Sequence, residues 1–367
     1  MIYIHIPFCK SRCLYCDFFS TTSEALMEQY TAALQGEISH RREELLRARA
    51  NTLYIGGGTP SRLPVALLQR IFDSIQEILP IEDRAEVTLE CNPDDVTPQW
   101  LNDLIHTPVN RISMGVQTLC DDLLRLLNRR HAAMQARTAV DLLRGAGYEN
   151  LSLDLMYGLP GQSMELWKKD VREILAMQVP HLSAYSLQWE EGTALYKMKE
   201  RGEVSEADEE LSLQMYRFLC DETAGAGMEH YEISNFAMPG KRARHNSGYW
   251  RNEPYVGLGP GAHSYDGGRL RSCNPADLHS YISSQGRPVQ ETEHLSDGEW
   301  YEEQILKGLR TIEGVDLKSL PEDYAGYAKK MALGHIKAGR LAFDGSILRL
   351  TGEGIFVSND VMSDLML

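Results

Sequence analysis

Three cysteines near the beginning of the chain have the spacing of ligands for a metal ion or a cluster. They form the segment Cys9-Lys-Ser-Arg-Cys13-Leu-Tyr-Cys16, a CxxxCxxC pattern, and no fourth cysteine follows closely. Thiolates suit iron–sulfur clusters or zinc, but a structural zinc site usually has four protein ligands. The pattern therefore favours a [4Fe–4S] cluster in which one iron has no protein ligand and can bind a substrate. A zinc loop and three incidental cysteines are the alternatives.

The remaining cysteines are scattered and predict no disulfide framework. They are Cys91, Cys120, Cys220 and Cys273, and we expect them to be small buried residues, as free cysteines commonly are. The total of seven is odd, and the apolar opening segment Ile2–Phe8 has no basic stretch before it. Both features argue against a secreted disulfide protein. We expect a cytoplasmic protein without a secretion signal.

The composition restricts the partners of the chain. Hydrophobic residues make up 43% and charged residues 24%, as in an ordinary globular protein. No apolar run reaches the roughly 18 residues that span a bilayer. The net charge of −15 argues against nonspecific binding to nucleic acid or to anionic lipid. We therefore predict no nucleic-acid partner and no transmembrane segment.

The first half of the chain alternates short strands with longer helices. Runs of β-branched and aromatic residues predict strands at Ile2–Ile6, Thr52–Ile55, Glu86–Leu89, Arg111–Val116, Leu151–Met156 and Leu182–Leu187. Helical periodicity predicts helices at Glu24–Arg47, Val65–Leu79 and Glu165–Met177. This alternation indicates βαβ units and a parallel sheet. Such units suit a partial (β/α)6 barrel, with a doubly wound sheet as the alternative.

Polar or ligand-type residues lie near the end of every one of these predicted strands or directly after it. In chain order they are the three cysteines, Gly56–Thr59, Glu90, Gln117, Asp154 and Gln188. The active site of a (β/α) barrel is built from the carboxyl ends of its strands. Six consecutive strands that each deliver such a residue to one rim favour the barrel over the doubly wound sheet.

The second half of the chain has a different character. A region rich in glycine, proline and aromatic residues extends from Tyr231 to Asn274, and the last block predicts helices followed by a hairpin at Asp344-Gly345. Helices followed by a hairpin resemble a winged-helix module, here for packing or protein contact. We therefore predict an α/β protein with three parts: a partial barrel over 1–200, a connecting region over 201–290 that completes the barrel side, and a smaller winged-helix-like C-terminal domain over 291–367.

Several longer motifs accompany the cysteines in a fixed order. They are YIHIPFC at 3–9, GGGTP at 56–60, ECNP at 90–93, SMGVQ at 113–117, NR at 128–129 and DLMYGLP at 154–160. Together they resemble the radical S-adenosylmethionine (SAM) superfamily, in its coproporphyrinogen-dehydrogenase-like branch. The resemblance covers most of the chain. It implies a [4Fe–4S] cluster on Cys9, Cys13 and Cys16, with SAM as its cosubstrate.

The resemblance also implies which residues bind SAM. Gly57, Gly58 and Thr59 would hold the methionine end, since backbone without side chains can approach an amino-acid group closely. The other positions that match cavity-lining or cluster-flanking residues of the family are Tyr3, Tyr15, Glu90, Gln117, Arg129 and Asp154. As isolated residues, the two tyrosines would be interpreted as core. Arg129 has the fork geometry that binds a carboxylate bidentately.

Three features bear on the branch of the superfamily. The dehydrogenase that acts on coproporphyrinogen carries CxxxCxxCxC and a sizeable segment before its first strand. Here Phe18 stands at the fourth cysteine position, and the first strand begins almost at once. In addition, His245-Asn-Ser-Gly-Tyr249-Trp250 is an HNxxYW motif that resembles HemW-type haem chaperones.

The chemistry of the HNxxYW motif is compatible with haem. His245 offers an imidazole to haem iron, and Tyr249 and Trp250 offer flat apolar surface to a macrocycle. The basic residues just before the motif suit two propionates; they are Lys241, Arg242 and Arg244. The alternative is a loop that packs its aromatic residues on the barrel, with solvated basic side chains.

Two functions of different classes follow from this resemblance. In the first, which we favour, a haem chaperone binds haem, the cluster and SAM, passes haem to an acceptor such as a respiratory haem protein, and needs no catalytic residue. In the second, a 5′-deoxyadenosyl radical abstracts hydrogen from a porphyrinogen propionate, which leads to oxidative decarboxylation to a vinyl group. A cluster exposed at the barrel rim would also allow a homodimer.

Overall fold

The computed structural model describes residues 1–48 and 50–367. Its strands are β1 (Ile2–Ile6), β2 (Thr52–Gly57), β3 (Glu86–Cys91), β4 (Arg111–Gln117), β5 (Leu151–Tyr157), β6 (His181–Ser186), β7 (Glu229–Glu232), β8 (Asn235–Ala237), β9 (Val256–Leu258), β10 (His263–Tyr265), β11 (Leu270–Cys273), β12 (Glu291–His294), β13 (Val315–Asp316), β14 (Leu341–Phe343) and β15 (Ile347–Leu350).

The helices connect and cover these strands. They are α1 (Met27–His40), α2 (Arg42–Ala48), α3 (Val65–Gln76), α4 (Pro98–Leu104), α5 (Asp121–Leu126), α6 (Ala133–Gly145), α7 (Met164–Ala176), α8 (Ala194–Glu200), α9 (Glu209–Gly225), α10 (Arg244–Trp250), α11 (Leu278–Ser283), α12 (Asp297–Leu309), α13 (Glu322–Lys337), α14 (Gly352–Ile355) and α15 (Ser358–Asp364). Short 3-10 helices lie at Glu24–Leu26, Pro60–Arg62, Pro93–Asp95 and Leu317–Ser319.

Strands β1 to β6 lie side by side in chain order and run parallel to one another. The order of the main sheet is β7-β8-β6-β5-β4-β3-β2-β1-β9. A doubly wound sheet would instead reverse its strand order at a switch point. The predicted partial (β/α)6 barrel is therefore confirmed.

Both edges of this sheet carry extra short strands. Strand β9 pairs parallel with β1, whereas β8 pairs antiparallel with β6 and with β7. Because β8 and β9 have three residues each and β7 has four, they show too little periodicity to be predicted from sequence. Helix α10 connects β8 to β9, so the HNxxYW motif lies between the two edges of the sheet.

The barrel strands alternate between an apolar outer face and a polar inner face. The outer residues join the main core with the covering helices, and they include Leu53, Leu89, Ile112, Leu153 and Leu182. The inner residues face a cavity, and they include Tyr54, Glu90, Arg111, Ser113, Asp154, Ser183 and Tyr185. Since side chains along a strand point alternately to opposite faces, the sheet buries its apolar half outward and keeps its centre polar.

One predicted helix is broken. The segment Glu24–Arg47, expected as a single helix, consists of a 3-10 turn followed by α1 and α2, which are separated at Arg41. The Arg41 side chain is buried and donates to the Gly257 carbonyl oxygen at 2.6 Å and to Ser264 Oγ at 3.0 Å. These partners are more than 200 residues away along the chain, so local periodicity could not reveal the break.

The C-terminal part has a core of its own. Residues from α12, α13, β14, β15 and α15 pack there, with Tyr301, Ile305 and Val361 fully buried. An antiparallel sheet of order β13-β15-β14 accompanies the helices. Its strand β13 lies between α12 and α13, and the β14–β15 hairpin follows α13. The hairpin turn at Asp344-Gly345 has the positive φ expected of its glycine, +98°. This is the winged-helix-like arrangement that was predicted. The predicted domain bounds at 200/201 and 290/291 remain a prediction.

Within residues 1–48 and 50–367, no helix is both long enough and apolar enough to cross a membrane.

Candidate functional site

A cavity of about 1170 Å³ occupies the centre of the barrel. It contains most of the residues predicted as cluster or SAM ligands: Cys9, Cys13, Tyr15, Cys16, Gly57, Gly58, Thr59, Glu90, Gln117, Arg129 and Asp154. We call the side formed by the loop 9–16 and the following strand ends the cysteine end. The opposite side, formed by α10, is called the helix end; its Asn246 also lines the cavity.

The cysteine loop is fixed by backbone hydrogen bonds. Cys9 N donates to the Thr21 carbonyl oxygen at 2.9 Å, and Leu14 N donates to the Leu127 carbonyl oxygen at 3.1 Å. Cys9 is buried, and the other two thiols of the CxxxCxxC pattern are partly exposed to the cavity. No three His, Cys, Asp or Glu side chains of the described residues come together around a single metal ion. A four-iron cluster does not need this, because each of its cysteines binds a different iron.

The glycine run is needed for close contact with the cysteine loop. A Cβ at Gly58 would lie 2.9 Å from the Phe8 carbonyl oxygen and 3.0 Å from Cys9 Sγ. Gly57 has a φ of +115°, a conformation that favours glycine. The next residue, Thr59, donates its hydroxyl to Cys9 Sγ at 3.4 Å. The segment 57–59 thus lies against Cys9, the first predicted cluster ligand, with its backbone accessible.

Two carboxylates lie on the inner face of neighbouring strands. Glu90 accepts from Tyr54 Oη at 2.6 Å and from the Gly57 N–H at 3.2 Å. Asp154 accepts from Ser113 Oγ at 3.5 Å. Burial raises the pKa of Glu90 to about 7 and the pKa of Asp154 to about 6. Both groups can therefore accept or donate a hydrogen bond to a ligand near neutral pH.

Arg129 connects the cysteine loop to the strand ends. Its guanidinium donates to Cys13 Sγ at 3.3 Å, to Asn92 Oδ1 at 2.7 Å and to the Gly115 carbonyl oxygen at 2.5 Å. Gln117 lies beside it at a bulge in β4, with a φ of +68° that is unusual for a residue with a side chain. These contacts hold a cation and an amide beside the cysteines.

The two predicted tyrosines occupy different positions. Tyr15 lines the cavity next to the cysteines, and burial raises the pKa of its hydroxyl. Tyr3 lies behind the cavity wall, where its hydroxyl is hydrogen-bonded to His5 Nδ1 at 3.1 Å and its ring stacks on Tyr54 at 6.2 Å. The cavity places Tyr15 within reach of a ligand, whereas Tyr3 supports the wall.

His245 is buried at the helix end with both ring nitrogens hydrogen-bonded. Its Nδ1 is 2.8 Å from Thr52 Oγ1, and its Nε2 is 2.9 Å from Tyr249 Oη. Burial lowers the pKa of the imidazole to about 3, and the charge of Arg111 adds to this effect. The ring is therefore neutral, and it must give up one of these hydrogen bonds before it can ligate iron.

Helix α10 is anchored to the amino-terminal ends of the barrel strands. The Glu86 carboxylate accepts from the backbone N–H groups of Arg244 and His245, each at 3.0 Å. Glu86 begins β3 and Thr52 begins β2. The HNxxYW motif thus closes the end of the barrel opposite the cysteines. Strand β4 extends from the helix end to the cysteine end in six residue steps, or about 20 Å.

The other residues of the motif region are less enclosed. Tyr249 and Trp250 are partly exposed, and the Trp250 ring lies 5.1 Å from the guanidinium carbon of Arg310. Of the basic residues, Arg242 forms ion pairs with Glu229 and Glu313. Its charge is therefore already compensated and is not free for a propionate in this conformation.

The cavity also contains polar residues that were not predicted as site residues. They include Tyr54, Arg111, Ser113, Ser183, Tyr185, Asn246 and Arg310. Five of them lie in barrel strands at alternate positions, as in R-I-S of β4 and S-A-Y of β6. The period-two alternation in these strands was the signal that could have revealed them.

The scattered cysteines differ from the expectation in part. Cys91 is buried in the main core, as predicted, whereas Cys120, Cys220 and Cys273 are only partly buried. Cys273 lies in β11, a strand of a small separate sheet with intermediate exposure along its length. The expectation that all four are buried is therefore wrong for three of them.

The sequence matches two family models, one in the barrel and one in the C-terminal part. Residues 3–174 match the radical SAM superfamily, and residues 295–357 match the HemN C-terminal domain. Over 368 aligned residues the chain is 35% identical to the heme chaperone HemW of Bacillus subtilis, covering 98% of this chain and 97% of that protein. The chain belongs to the HemW family of radical SAM proteins.

Other relatives extend this result. The heme chaperone HemW of Escherichia coli is 35% identical over 79% of this chain and 76% of its own length. A Danio rerio relative named radical S-adenosyl methionine domain-containing protein 1, mitochondrial, is 33% identical, covering all of this chain and 86% of the relative. Proteins similar to this chain thus occur in bacteria and in a vertebrate.

A solved structure shares the HemW fold described here. Coproporphyrinogen III oxidase (HemN) from Escherichia coli, a radical SAM enzyme, superimposes with a TM-score of 0.85. The superposition covers 100% of this chain and 89% of the other, at 21% sequence identity. At that identity the likeness concerns the fold alone.

Membership of the radical SAM superfamily implies a [4Fe–4S] cluster and SAM. The cysteine end of this HemW-family chain fits both groups. Three thiols face one cavity, and the segment 57–59 approaches them so closely that a side chain at Gly58 would not fit. When bound, the cluster would supply an electron to the sulfonium of SAM, and the three thiols and the segment 57–59 would hold the two groups side by side.

Proposed function

We propose that this chain is a haem chaperone that binds haem in addition to a cluster and SAM, and transfers haem to an acceptor protein. Cys9, Cys13 and Cys16 would ligate three irons. The residues that would bind SAM are the predicted ones that line the cavity: Tyr15, Gly57, Gly58, Thr59, Glu90, Gln117, Arg129 and Asp154. Tyr3, the other predicted residue, would support them from behind the wall. Haem would contact His245, Tyr249 and Trp250.

The observation that carries this proposal is the extent of the cavity. Small-molecule sites commonly measure about 300–1,000 Å³, and this cavity has about 1170 Å³. It extends from the cysteines to Asn246 of the HNxxYW helix. The volume supports a second, larger ligand beside SAM, and the full-length similarity to proteins named heme chaperone HemW supports haem as that ligand.

We also propose an acceptor, a compartment and a self-association surface for this chain. The acceptor would be a haem protein, and the chain would work in the cytoplasm. The cluster would serve haem binding or handover at the cysteine end. There Phe18, which stands where a fourth cysteine would be, is exposed at the mouth of the cavity. Two copies meeting at this mouth would form a homodimer.

Haem titration of the anaerobically reconstituted protein tests the binding step. We expect one haem per chain, observed as a Soret band that saturates, and weaker binding by His245→Ala. Gln304→Ala serves as a control, because Gln304 contacts Asn252 beside the helix end but not His245. Unchanged haem binding and an unchanged haem spectrum in His245→Ala would remove this residue as the iron ligand.

A second assay separates the chaperone from the radical enzyme. The reconstituted protein is incubated anaerobically with coproporphyrinogen III, SAM and a reductant, and the porphyrin products are analysed. The proposal expects no vinyl product above a Cys13→Ala control. Substantial vinyl product that depends on Cys13 would contradict a chaperone without porphyrinogen-decarboxylating activity.

Transfer is tested with haem-depleted respiratory membranes from the source organism. Haem-loaded protein is mixed with these membranes, which are then pelleted, and haem absorbance is followed in the pellet. We expect haem to move to the membranes faster than it moves from haem-loaded serum albumin. Equal rates would contradict assisted transfer.

A further inference from the structure

One buried arginine in the barrel has no partner among the described residues. Arg111, the first residue of β4, is 1% exposed and lines the cavity. Among residues 1–48 and 50–367, no side chain or backbone group forms a hydrogen bond or an ion pair with its guanidinium, and its Nε atom is fully buried. A buried charge without compensation is strongly unfavourable, so this arrangement indicates a ligand.

The contrast with Arg41 shows how this fold treats an arginine that is only structural. Arg41 is also buried, at 6% exposure. Its guanidinium donates to the carboxylates of Glu37 and Glu44 and to the Gly257 carbonyl oxygen, at 3.1, 2.6 and 2.6 Å. Arg111 has no such set of acceptors, although it is more deeply buried.

The carboxylates near Arg111 are occupied by other donors. Glu90 accepts from Tyr54 and from the Gly57 backbone, and Asp154 accepts from Ser113. Both carboxyl groups have a raised pKa because they are buried, and neither forms an ion pair within 4 Å of the guanidinium in the part of the chain that the structure describes. Arg111 thus remains available for an anion from outside.

A second arginine lines the same cavity in a similar state. Arg310 follows α12 directly, and its Nε is buried without a hydrogen-bond partner among the described residues. Its guanidinium carbon lies 5.1 Å from the centroid of the Trp250 ring. The nearby Glu232 carboxylate instead accepts from Ser234 N and Asn235 Nδ2. Arg310 therefore brings a cation from the C-terminal part into the barrel cavity, supported by the HNxxYW motif.

The other side chains that line the cavity indicate the shape and polarity of the rest of the ligand. Aromatic and apolar side chains cover much of the wall, among them Met156, Tyr185, Trp189, Ile355 and Phe356. A ligand that satisfies this wall and both arginines is large, flat and apolar, with two carboxylates. SAM has only one carboxylate, and it is expected at the cysteine end, about 20 Å along β4 from Arg111.

We propose that Arg111 and Arg310 bind the two propionate carboxylates of haem and hold the macrocycle inside the barrel cavity. This inference rests on the proposed haem-binding function. It adds that haem is held inside the barrel by its propionates, and that Trp250 acts in part by supporting Arg310.

The test compares haem with haem dimethyl ester, in which both carboxylates are esterified. Each lost charge-assisted contact weakens binding by about 10- to 100-fold. We therefore expect the wild-type protein to prefer haem by at least that factor. Arg111→Gln and Arg310→Gln should each reduce the preference, and the double variant should bind both compounds equally. Arg251→Gln, at an exposed arginine next to α10, should keep the wild-type preference.

A stability measurement distinguishes binding from a structural role. Because Arg111→Gln removes a buried charge that has no hydrogen bond or close ion pair among the described residues, we expect the haem-free variant to unfold at a higher temperature than the wild type. SAM binding should be retained in both variants. If Arg111→Gln does not fold, the ester comparison with Arg310→Gln alone still decides the question, because this residue is less buried.

The outcomes separate this inference from the function on which it rests. Equal binding of haem and its dimethyl ester by the wild-type protein would overturn the arginine pair but leave haem binding intact. A preference for haem that persists in the double variant would do the same. Failure to bind either compound would overturn the proposed function itself.

Discussion

The two ends of the barrel cavity use their polar groups in different ways. At the cysteine end, thiols, backbone groups of Gly57 and Gly58, and the guanidinium of Arg129 face one space from different elements. At the helix end, the imidazole of His245 and the carboxylate of Glu86 are hydrogen-bonded to the protein itself. The first end is arranged to hold ligands, and the second is arranged to hold a helix in place.

This difference changes the interpretation of the HNxxYW motif. A motif that contains histidine and two aromatic residues suggests direct contact with haem, but its histidine is engaged with Thr52 and Tyr249. The motif residue that lines the cavity is Asn246, and Trp250 acts on the cavity through Arg310. In the proposed haem site the helix end would therefore serve as a wall and support, and His245 could ligate iron only after rearrangement.

The largest expected effect concerns the cysteine end. Cys13→Ala removes one of the three thiolates that would ligate the cluster. We expect a complete loss of the visible cluster absorbance after anaerobic reconstitution, with normal secondary structure by circular dichroism. Cys273→Ser serves as the control, because this cysteine lies in the small separate sheet. Cluster absorbance that survives in Cys13→Ala would contradict the assignment of the cysteine end.

The next largest effect is a pH dependence of the free energy of unfolding, which the carboxyl groups of the cavity wall cause. The pKa of Glu90 is raised by burial from 4.5 to about 7, so the folded protein binds this proton more tightly than the unfolded chain. Between about pH 4.5 and 7 the free energy of unfolding should therefore fall as the pH rises, by about 1–3 kcal/mol. Asp154, with a pKa raised to about 6, contributes in the same direction.

Glu90→Gln should remove the share of this slope that comes from Glu90. The measurement is urea unfolding at pH 5 and pH 8, for the variant and the wild type. Glu191→Gln, at an exposed position in the segment after β6, should leave the slope unchanged. A slope in Glu90→Gln parallel to that of the wild type would mean that Glu90 ionises as freely in the folded protein as in the unfolded chain.

The sequence predicted the barrel well because its signals are local. Strand β1 was placed correctly, and β2 to β6 were placed to within two residues, because each strand is an apolar run next to a turn residue. The cysteine loop and the glycine run follow strands directly, so their position at the carboxyl ends follows from the parallel arrangement. The same reasoning would have placed Arg111 and Ser113 on the inner face, by their alternation along β4.

The features that the sequence did not predict depend on contacts between distant parts of the chain. The break at Arg41 is set by Gly257 and Ser264, and Arg310 reaches the cavity only because the C-terminal part packs against the turn between β7 and β8. The position of α10 depends on its hydrogen bonds to Thr52 and Glu86. Local sequence patterns contain no information about these pairings, which explains why the motif was interpreted by its residue types alone.

The smallest expected effect tests the helix end itself. Thr52→Val removes the hydroxyl that lies 2.8 Å from His245 Nδ1 and leaves the imidazole in place. Losing this buried hydrogen bond should lower the free energy of unfolding by about 1–2 kcal/mol. Thr31→Val is a matched control, because it also removes a buried threonine hydroxyl that forms a hydrogen bond. The Thr31 hydroxyl donates to the Met27 carbonyl oxygen within α1.

Haem affinity measured in the same variant decides how His245 acts. If His245 must leave Thr52 to ligate iron, the variant has already lost the bond that opposes this movement, and haem should bind up to about tenfold more tightly. This opposite change in stability and affinity is the expected result. Haem affinity that is unchanged or reduced in Thr52→Val would assign His245 to holding α10 against the barrel, and would leave the wall and its arginines as the haem site.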